Sequence, residues 1–459
     1  MTRFATGFGL ALSVFLGGIA APVAAKTLVL NHFTLIDGLG HAPVRNAAMI
    51  VTDGRISWVG AASAVKVPAG AKVQDLAGKF VMPGLIDNHV HLAMVQGIAQ
   101  DFRKSYNRAN IESQLATFAA YGVTTVQALG TDDNLIFDIV KEQRSAPAKA
   151  TRIFTAGRGL VFKGSYGGVA GLDAFVSTPA EARAMVDTEV RKGADVVKLW
   201  VDDEFGTVPV RMPPAVSSAV IDEAHKDGRK AVAHVFYIAN ARELVREGAN
   251  GFSHEIRDAP VDAALVNAMK AGNTWQMAAT LSREASFTYD LLPFVDDPFF
   301  SRGVEPSVIT ALKDPARRQR LRSGPLFSQF PKVFQTAMSN FSRQVKGGVR
   351  YGMGTDTGPT ARFPGYFAHW ELELMVKAGI TPLQALTAAT SANAEFMGAK
   401  DIGSITTGKW ADLLVLDRDP TKDIRNTRSI NEVLIAGEPM PTIWQTCAGR
   451  AVAACGKAR

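Results

Sequence analysis

The fold of this chain is decided by the stretch GLIDNHVH, residues 84–91, in which a short apolar run leads into two histidines. Side chains two positions apart on a β-strand point to the same side, so His89 and His91 face the same way if this stretch is a strand. Two imidazoles on one side can chelate a single metal ion. Because such a pair also arises by chance, it predicts a metal site only if further ligands follow elsewhere in the chain.

Further candidate ligands stand at the ends of other apolar stretches. His234 and His254 each end a short strand-like run, and Asp356 follows small residues that leave room around a carboxylate. A single buried histidine is usually an ordinary core residue. Four histidines and one aspartate, all at predicted strand ends, favour a metal centre at the carboxyl edge of a parallel sheet, where barrel active sites lie.

Strand-like and helix-like stretches alternate through the middle of the chain, as expected for a parallel sheet with helical crossovers. Eight strands close a (β/α)₈ barrel, so we predict an α/β fold of this TIM-barrel type. The predicted strands cover residues 84–92, 123–129, 152–156, 195–201, 230–235, 251–255, 274–279 and 349–354. The predicted helices include residues 111–120, 179–192, 215–226, 239–247 and 261–270.

Lys198 stands near the end of the fourth predicted strand. If it faces the histidines, its ammonium group is desolvated beside divalent cations, which is costly. The deprotonated amine can instead react with carbon dioxide, and the resulting carbamate offers anionic oxygens that bridge two metals. Two alternatives stay open: Lys198 pairs with Asp202 or Asp203, or it points outward between helices. Together with the five other candidate ligands, Lys198 favours the modified residue N6-carboxylysine.

The two ends of the chain have a different sequence pattern, in which short predicted strands alternate apolar and polar residues. Two of these strands flank Asp53-Gly54, a strong signal for a two-residue hairpin turn, and similar strands return after residue 400. We predict a small β-sandwich domain formed by residues 26–81 and 400–459, and a metal-binding barrel over residues 82–399.

The regular spacing breaks at an insertion of about residues 281–346, which is rich in Phe, Pro and Arg. Loops that follow the strands of a barrel lie on its active face. We therefore expect the insertion to cover the site and help select the substrate, and a helical excursion without such a role is the alternative.

Composition limits the class of partner. The chain is 47% hydrophobic and 20% charged, as is ordinary for globular proteins. Its formal net charge is +7, but the basic residues are scattered and no basic stripe interleaved with aromatics appears. This pattern argues against nucleic-acid binding and leaves a small-molecule substrate as the expected partner.

The first 25 residues have the pattern of a signal peptide, with Arg3, an apolar run and the small residues Val23-Ala24-Ala25. We predict cleavage after Ala25 and export to the periplasm or the medium. A membrane anchor is the alternative, but the apolar run is shorter than the roughly 18 residues that a span needs, and no stable span is expected after cleavage. Cys447 and Cys455 form a disulfide or stay as two thiols.

The motifs resemble those of a known family. GLIDNHVH is similar to the first metal motif of the amidohydrolase superfamily, and residues 403–417, GSITTGKWADLLVLD, resemble the segment that returns the chain to its small sandwich. Residues 371–390 are similar to the imidazolonepropionase-related branch, which includes dipeptidases that cleave Xaa-Pro and basic-residue dipeptides. The resemblance covers nearly everything after residue 25 and is weakest across the insertion.

The resemblance implies a role for each candidate ligand. It implies that His89, His91 and Asp356 hold one divalent metal ion, that His234 and His254 hold a second, and that carboxylated Lys198 bridges them. Zinc is the expected metal, and manganese, cobalt or iron also suit such ligands. A metal-bridging hydroxide would attack the substrate, with Asp356 as the catalytic group that moves the proton to the leaving nitrogen.

The substrate is less determined than the chemistry. The resemblance favours hydrolysis of C–N bonds in dipeptides or N-acyl amino acids, and we name Tyr237 and Arg158 as candidate carboxylate-binding residues. A lactone, ester or organophosphate hydrolase is the alternative, favoured if the insertion forms an apolar pocket with no cationic anchor. A non-catalytic exported metal-binding or ligand-binding protein is a third hypothesis, and a homo-oligomer is compatible with all three.

Overall fold

The protein is represented by a computed structural model that describes residue 2 and residues 26–98, 101–447 and 450–451. The predicted signal peptide and Cys455 lie outside the described residues, so export, cleavage and cysteine pairing stay predictions. Within the described ranges, no helix combines the length and the hydrophobicity that crossing a membrane would require.

Strands from the two ends of the chain share one eight-stranded sheet. Its members are β1 (Thr27–Leu35), β2 (Val44–Thr52), β3 (Arg55–Ala61), β4 (Lys72–Asp75), β5 (Phe80–Pro83), β15 (Leu413–Leu416), β16 (Ile430–Ile435) and β17 (Glu438–Met440). The antiparallel pairing of β5 with β15 joins the two chain ends. The predicted meeting of both ends is therefore observed, while the division into domains stays a prediction.

The β2–β3 turn has the conformation that its sequence predicts. Asp53 has a φ of 49° and Gly54 a φ of 81°, so both central residues lie in the left-handed region that a type I′ hairpin requires. A side chain at Gly54 would also meet the Ala436 carbonyl oxygen at 2.6 Å. Glycine therefore lets the hairpin approach the strands from the other end of the chain, where the Ala411 N–H donates to the Gly54 carbonyl at 2.8 Å.

The middle of the chain forms parallel strands, as predicted. One sheet contains β6 (Leu85–Val90), β7 (Val123–Ala128) and β8 (Arg152–Thr155), and a second has the order β10-β9-β11-β12-β13-β14. The second sheet comprises β9 (Leu160–Phe162), β10 (Ala174–Val176), β11 (Val196–Trp200), β12 (Lys230–His234), β13 (Gly251–Ser253) and β14 (Trp275–Ala278). Strands β9 and β10 were not predicted. A further short hairpin pairs β18 (Thr446–Cys447) with β19 (Arg450–Ala451).

The eighth predicted strand, residues 349–354, is not a regular strand. It makes one parallel bridge to β14 through Tyr351, and Thr357 makes another to Val90. Its backbone pairs with Gln276 of β14 and Asn88 of β6, and at Met353 a side chain takes part as well: Asn393 donates to the Met353 carbonyl and accepts from the Met353 N–H. A side chain at Gly352 would meet Asn393 Oδ1 at 2.2 Å. The segment therefore occupies the space between β14 and β6 without extended pairing.

The predicted helices are present with small changes at their ends. The helices before the insertion are α1 (Phe102–Ser105), α2 (Arg108–Ala120), α3 (Leu135–Arg144), α4 (Pro179–Lys192), α5 (Pro214–Lys226), α6 (Ile238–Glu247) and α7 (Ala263–Ala271). The insertion contains α8 (Leu281–Phe287), α9 (Pro298–Ser301), α10 (Pro306–Lys313), α11 (Pro315–Arg322) and α12 (Phe330–Lys346). The helices after it are α13 (Tyr366–Lys377), α14 (Pro382–Thr387) and α15 (Asn393–Met397), with one π-helical turn, Ala388–Ala392, between the last two.

Helix α4 shows how local sequence fixes the position of a strand in the site. The Thr178 hydroxyl accepts the Glu181 N–H at the N-terminus, and Gly193 ends the helix with a φ of 113°. A left-handed glycine reverses the chain at low cost. The reversal leads directly into β11, which carries Lys198.

His369 in α13 has a structural position rather than one in the candidate site. The side chain is buried, its Nε2 donates to the Tyr121 carbonyl at 2.8 Å, and its Nδ1 lies 2.9 Å from Thr427 Oγ1. Burial lowers the pKa of His369 to about 3. The imidazole is therefore neutral in the folded protein at pH values at which the unfolded chain binds a proton.

We expect the His369→Gln variant to have a shallower loss of stability in acid. A depressed histidine pKa contributes no penalty above about pH 6.5 and destabilises progressively as pH falls toward 3, by about 2 kcal/mol between pH 7 and pH 5. Urea unfolding of both proteins at these pH values measures the difference. An unchanged pH dependence in the variant would contradict the assignment.

Candidate active site

Three of the predicted ligands form a compact triangle of donor atoms. His89 Nε2 lies 3.3 Å from His91 Nε2, and Asp356 Oδ1 lies 3.5 Å from the former and 3.0 Å from the latter. Bonds of about 2.0–2.1 Å in a tetrahedral site place neighbouring ligand atoms about 3.3 Å apart. The triangle therefore has the size that one metal ion requires.

Backbone contacts hold this triangle in place. The Asp356 N–H donates to the His89 carbonyl at 2.7 Å, and the His91 N–H donates to the Thr357 carbonyl at 2.7 Å. Asp356 has a φ of 57°, an unfavourable conformation for a non-glycine residue that clusters at functional sites. Gly358 follows, and a side chain there would meet the His91 carbonyl oxygen at 1.9 Å. Only a glycine permits this close approach of the two segments.

His234 and His254 form a second group beside the triangle. Their ring centroids are 4.3 Å apart, and the ring of His254 lies 4.8 Å from that of His89. His254 Nδ1 lies 2.8 Å from Thr280 Oγ1, which leaves its Nε2 available. The buried His234 Nδ1 has no hydrogen-bond partner among the described residues. One nitrogen of each ring is thus available for a second metal ion.

Lys198 points inward from β11 and is buried. Its Nζ donates a hydrogen bond to Ser253 Oγ and lies 5.0 Å from the centroid of the Trp200 ring. Among the described residues no carboxylate forms an ion pair with Lys198, so the expected alternatives of pairing with Asp202 or Asp203 and of pointing outward do not hold. Burial lowers the pKa of the amine to about 7.

The candidate ligands have the protonation states that metal binding requires. Burial lowers the pKa of His234 to about 3 and lowers the pKa values of His89, His91 and His254. Neutral imidazole is the form that coordinates. Burial alone would raise the pKa of Asp356, but the neighbouring Arg362 and histidines hold it well below its usual range. The donor set therefore fits two divalent metal ions.

Two arginines that were not predicted from the sequence form ion pairs with Oδ2 of Asp356, the carboxylate oxygen that does not contact the histidines. Arg283 Nε lies 2.9 Å from Asp356 Oδ2, and Arg362 also pairs with this oxygen. Oδ1 of the same carboxylate contacts the two histidines. Asp356 thus lies between the metal ligands on one side and two arginine cations on the other.

A third missed residue, Glu204, lies in the loop after β11. Its carboxylate accepts from His234 Nε2 at 2.9 Å and from Arg283 Nη2 at 2.7 Å. Burial would raise the pKa of this carboxyl, but Arg283 and Arg257 hold it well below its usual range. No periodicity or motif identifies these arginines and this glutamate, because the helix and the loops that carry them meet only in the folded protein.

A cavity of about 280 Å³ opens above the candidate ligands. Its lining includes four of the predicted ligands, His91, His234, His254 and Asp356, together with three side chains that were not predicted, Tyr166, Arg283 and Arg362. Because Arg283 belongs to α8, the insertion contributes directly to the cavity wall.

The two candidate substrate-binding residues lie outside this lining. The Tyr237 hydroxyl donates to Asp203 Oδ1 at 2.7 Å, and Arg211 stacks on the Tyr237 ring. The Arg158 N–H donates to Glu189, and its buried Nε has no hydrogen-bond partner among the described residues. The cationic groups that face the cavity are Arg283 and Arg362 instead.

Comparison with known proteins gives consistent matches. The model of the amidohydrolase family matches residues 80–440. Ochratoxinase from Aspergillus niger is 26% identical over 454 residues, covering 89% of this chain and 84% of that protein. Imidazolonepropionase from Streptomyces griseus subsp. griseus is 26% identical over 407 residues, covering 85% and 90%.

A solved structure of another protein has the same fold as this chain. The structure of a Xaa-Pro dipeptidase with bound methionine in the active site has a TM-score of 0.70 at 20% identity, and the match covers 90% of this chain and 99% of that chain. The expected resemblance is thereby confirmed. This chain belongs to the amidohydrolase family and is a hydrolase that acts on carbon–nitrogen bonds.

Proposed function

We propose that this protein uses two divalent metal ions, with zinc the expected identity, to hydrolyse the amide bond of dipeptides or N-acyl amino acids. The observation that carries the choice of substrate is a pair of arginines in the cavity wall, the buried Arg283 and the partly exposed Arg362. Both substrate classes carry a carboxylate, which guanidinium groups bind through paired hydrogen bonds.

Arg362 is the better placed of the two for a substrate carboxylate. Arg283 is already paired with Glu204, Glu284 and Asp356. The described contacts of Arg362 include an ion pair with Asp356 alone, and a guanidinium has five N–H donors. Arg362 therefore has N–H donors that its ion pair does not use. We propose that these donors bind the carboxylate of the substrate.

The proposed metal arrangement follows the two groups of donors. His89, His91 and Asp356 hold one ion, His234 and His254 hold the other, and carboxylated Lys198 bridges them. When bound, such ions polarise a carbonyl and activate water at neutral pH. Asp356 then accepts a proton and passes it to the leaving nitrogen, while the paired arginines keep its carboxylate oriented.

We further propose that the parallel strands close into a (β/α)₈ barrel, with the sheet from both chain ends as a separate small domain. Hydrogen bonds from the Asp195 N–H to the Thr155 carbonyl, and from the Gln276 N–H to the Arg350 carbonyl, support closure. The position of Arg283 supports the insertion as a cover that helps select the substrate.

A paired-substrate screen tests the proposed function. Metal-loaded enzyme is assayed with N-acyl amino acids and dipeptides, with the same compounds carrying a neutral carboxamide in place of the carboxylate, and with lactones and aryl phosphotriesters. We expect turnover of the carboxylate compounds and much weaker turnover of their amides. Turnover of lactones or phosphotriesters without any turnover of the amide substrates would overturn the proposal in favour of the ester-hydrolase alternative.

The Arg362→Met variant tests the assigned anchor. We expect KM for a carboxylate substrate to rise about 10-fold to 100-fold, since a charge-assisted hydrogen bond contributes about 1.5–3 kcal/mol, with little change for the matched carboxamide. Arg350→Met is the control, because Arg350 stacks on Trp275 and pairs with Glu395 away from the cavity. Equal losses for the two substrates would exclude a carboxylate anchor at Arg362.

A further inference from the structure

The two nitrogens of His234 have different surroundings. Nε2 lies 2.9 Å from Glu204 Oε2, whereas Nδ1 is buried and has no hydrogen-bond partner among the described residues. In a neutral imidazole one nitrogen carries the proton and the other carries the lone pair. A proton on Nε2 therefore satisfies Glu204 and leaves the lone pair on Nδ1, beside the ring of His254.

The carboxylate of Glu204 is saturated with donors. Oε1 contacts Arg257 Nη2 at 3.2 Å and Arg283 Nη2 at 2.7 Å, and Oε2 contacts Arg257 Nη2 at 3.0 Å and His234 Nε2 at 2.9 Å. An ionised carboxylate has about four lone-pair sites. Glu204 has no site left for a metal ion, but it is a strong acceptor for an imidazole N–H.

This saturation decides between two roles for the acidic group beside His234. Asp202, Glu204 and His234 each offer one atom within 4.8 Å of the others, so they could hold a cation. Two buried guanidinium groups, from Arg257 and Arg283, already neutralise Glu204 and would repel such a cation. The surroundings favour a hydrogen-bond acceptor over a metal ligand.

The backbone fixes Glu204 in this position. Glu204 and Phe205 both lie in the left-handed region, with φ of 40° and 67°. The Glu204 N–H donates to Asp202 Oδ1 at 2.9 Å. Strained backbone of this kind persists where surrounding contacts over-determine it, and it clusters at functional sites.

We infer that Glu204 is a positioning residue that holds the Nε2 proton of His234 and thereby directs Nδ1 toward the second metal ion, an inference that rests on the proposed two-metal site. A carboxylate behind a ligating histidine fixes its tautomer and raises its basicity. Arg257 and Arg283 in turn keep the carboxylate charged and oriented. The second metal ion thus depends on a residue that does not touch it.

The test compares the full-length Glu204→Ala and Glu204→Gln variants with Glu284→Ala. Glu284 is the matched control, because this buried glutamate pairs with the same two arginines, Arg257 and Arg283. Zinc binding is measured by chelator competition, and the protonated and metal-bound nitrogens of His234 are identified by ¹⁵N NMR on histidine-labelled protein.

We expect Glu204→Ala to weaken the second zinc site about 10-fold to 100-fold and to leave the first site unchanged. Glu204→Gln keeps an amide carbonyl acceptor and should recover most of this affinity, and Glu284→Ala should bind both ions as the wild type does. In the wild-type protein, zinc should be on Nδ1 of His234 and the proton on Nε2.

Two results would overturn the inference: zinc on Nε2 of His234 in the wild-type protein, or equal affinities in Glu204→Ala and Glu284→Ala. The wild-type NMR measurement decides the question even if Glu204→Ala fails to fold. Failure of the proposed function is a separate result, in which the wild-type protein binds fewer than two ions or cleaves no amide substrate.

Discussion

The Lys198→Met variant is expected to lose one or both metal ions and to lose hydrolytic activity by more than 100-fold. Removing a partner behind a metal ligand costs about 10-fold to 100-fold, and a bridging ligand contributes to two ions at once. Methionine keeps most of the volume beside Trp200 and Ser253. Because it replaces a buried amine without a charged partner, the fold should persist.

Metal analysis and ¹³C NMR with labelled bicarbonate measure this prediction. The wild-type protein should show a carbamate carbon signal, and Lys198→Met should not. Lys230→Met is the control, because Lys230 is a partly buried lysine on the neighbouring strand β12 that donates to the Phe396 carbonyl. Two bound ions with full activity in Lys198→Met would refute the bridging carbamate.

The second large effect is expected for Asp356→Asn, which should reduce kcat by about a thousand-fold. An amide cannot accept the proton that the proposed chemistry moves, and loss of general acid–base catalysis typically costs about 100-fold to 10,000-fold. The change also removes the charge that Arg283 and Arg362 share; Arg283 keeps its pairs with Glu204 and Glu284, but Arg362 loses its ion pair. A hydrogen bond to a charged group contributes about 1.5–3 kcal/mol, so thermal stability should fall as well.

Asp412→Asn separates the two effects of Asp356→Asn. Asp412 is a buried carboxylate that pairs with Arg152 at 2.6 Å, away from the cavity. Its replacement should lower the melting temperature and leave metal content and kcat unchanged. A wild-type kcat in Asp356→Asn would refute the proposed proton-transfer role of Asp356.

Local sequence determined the parallel α/β plan and the residues that meet in the cavity. Side chains two apart on a strand share a side, which brought His89 and His91 together, and strand ends in a parallel sheet lie at one edge. The same logic placed His234 and His254 beside them, whereas the inward direction of Lys198, which the sequence left open, was decided by the structure. The placement of the histidines follows from short-range periodicity, which the sequence displays directly.

Tertiary structure alone decided what surrounds these residues. Arg283 comes from α8, and Arg362 and Glu204 come from two separate loops, so their meeting depends on how these segments fold over the sheet edge. At the eighth strand position, the side chain of Asn393, the first residue of α15, binds the N–H and the carbonyl of Met353. Tyr237 and Arg158 lie outside the cavity lining, and the Tyr237 hydroxyl donates to Asp203. Strand periodicity fixes which side a residue faces, whereas loop contacts between distant segments carry no periodic signal and arise only when the chain has folded.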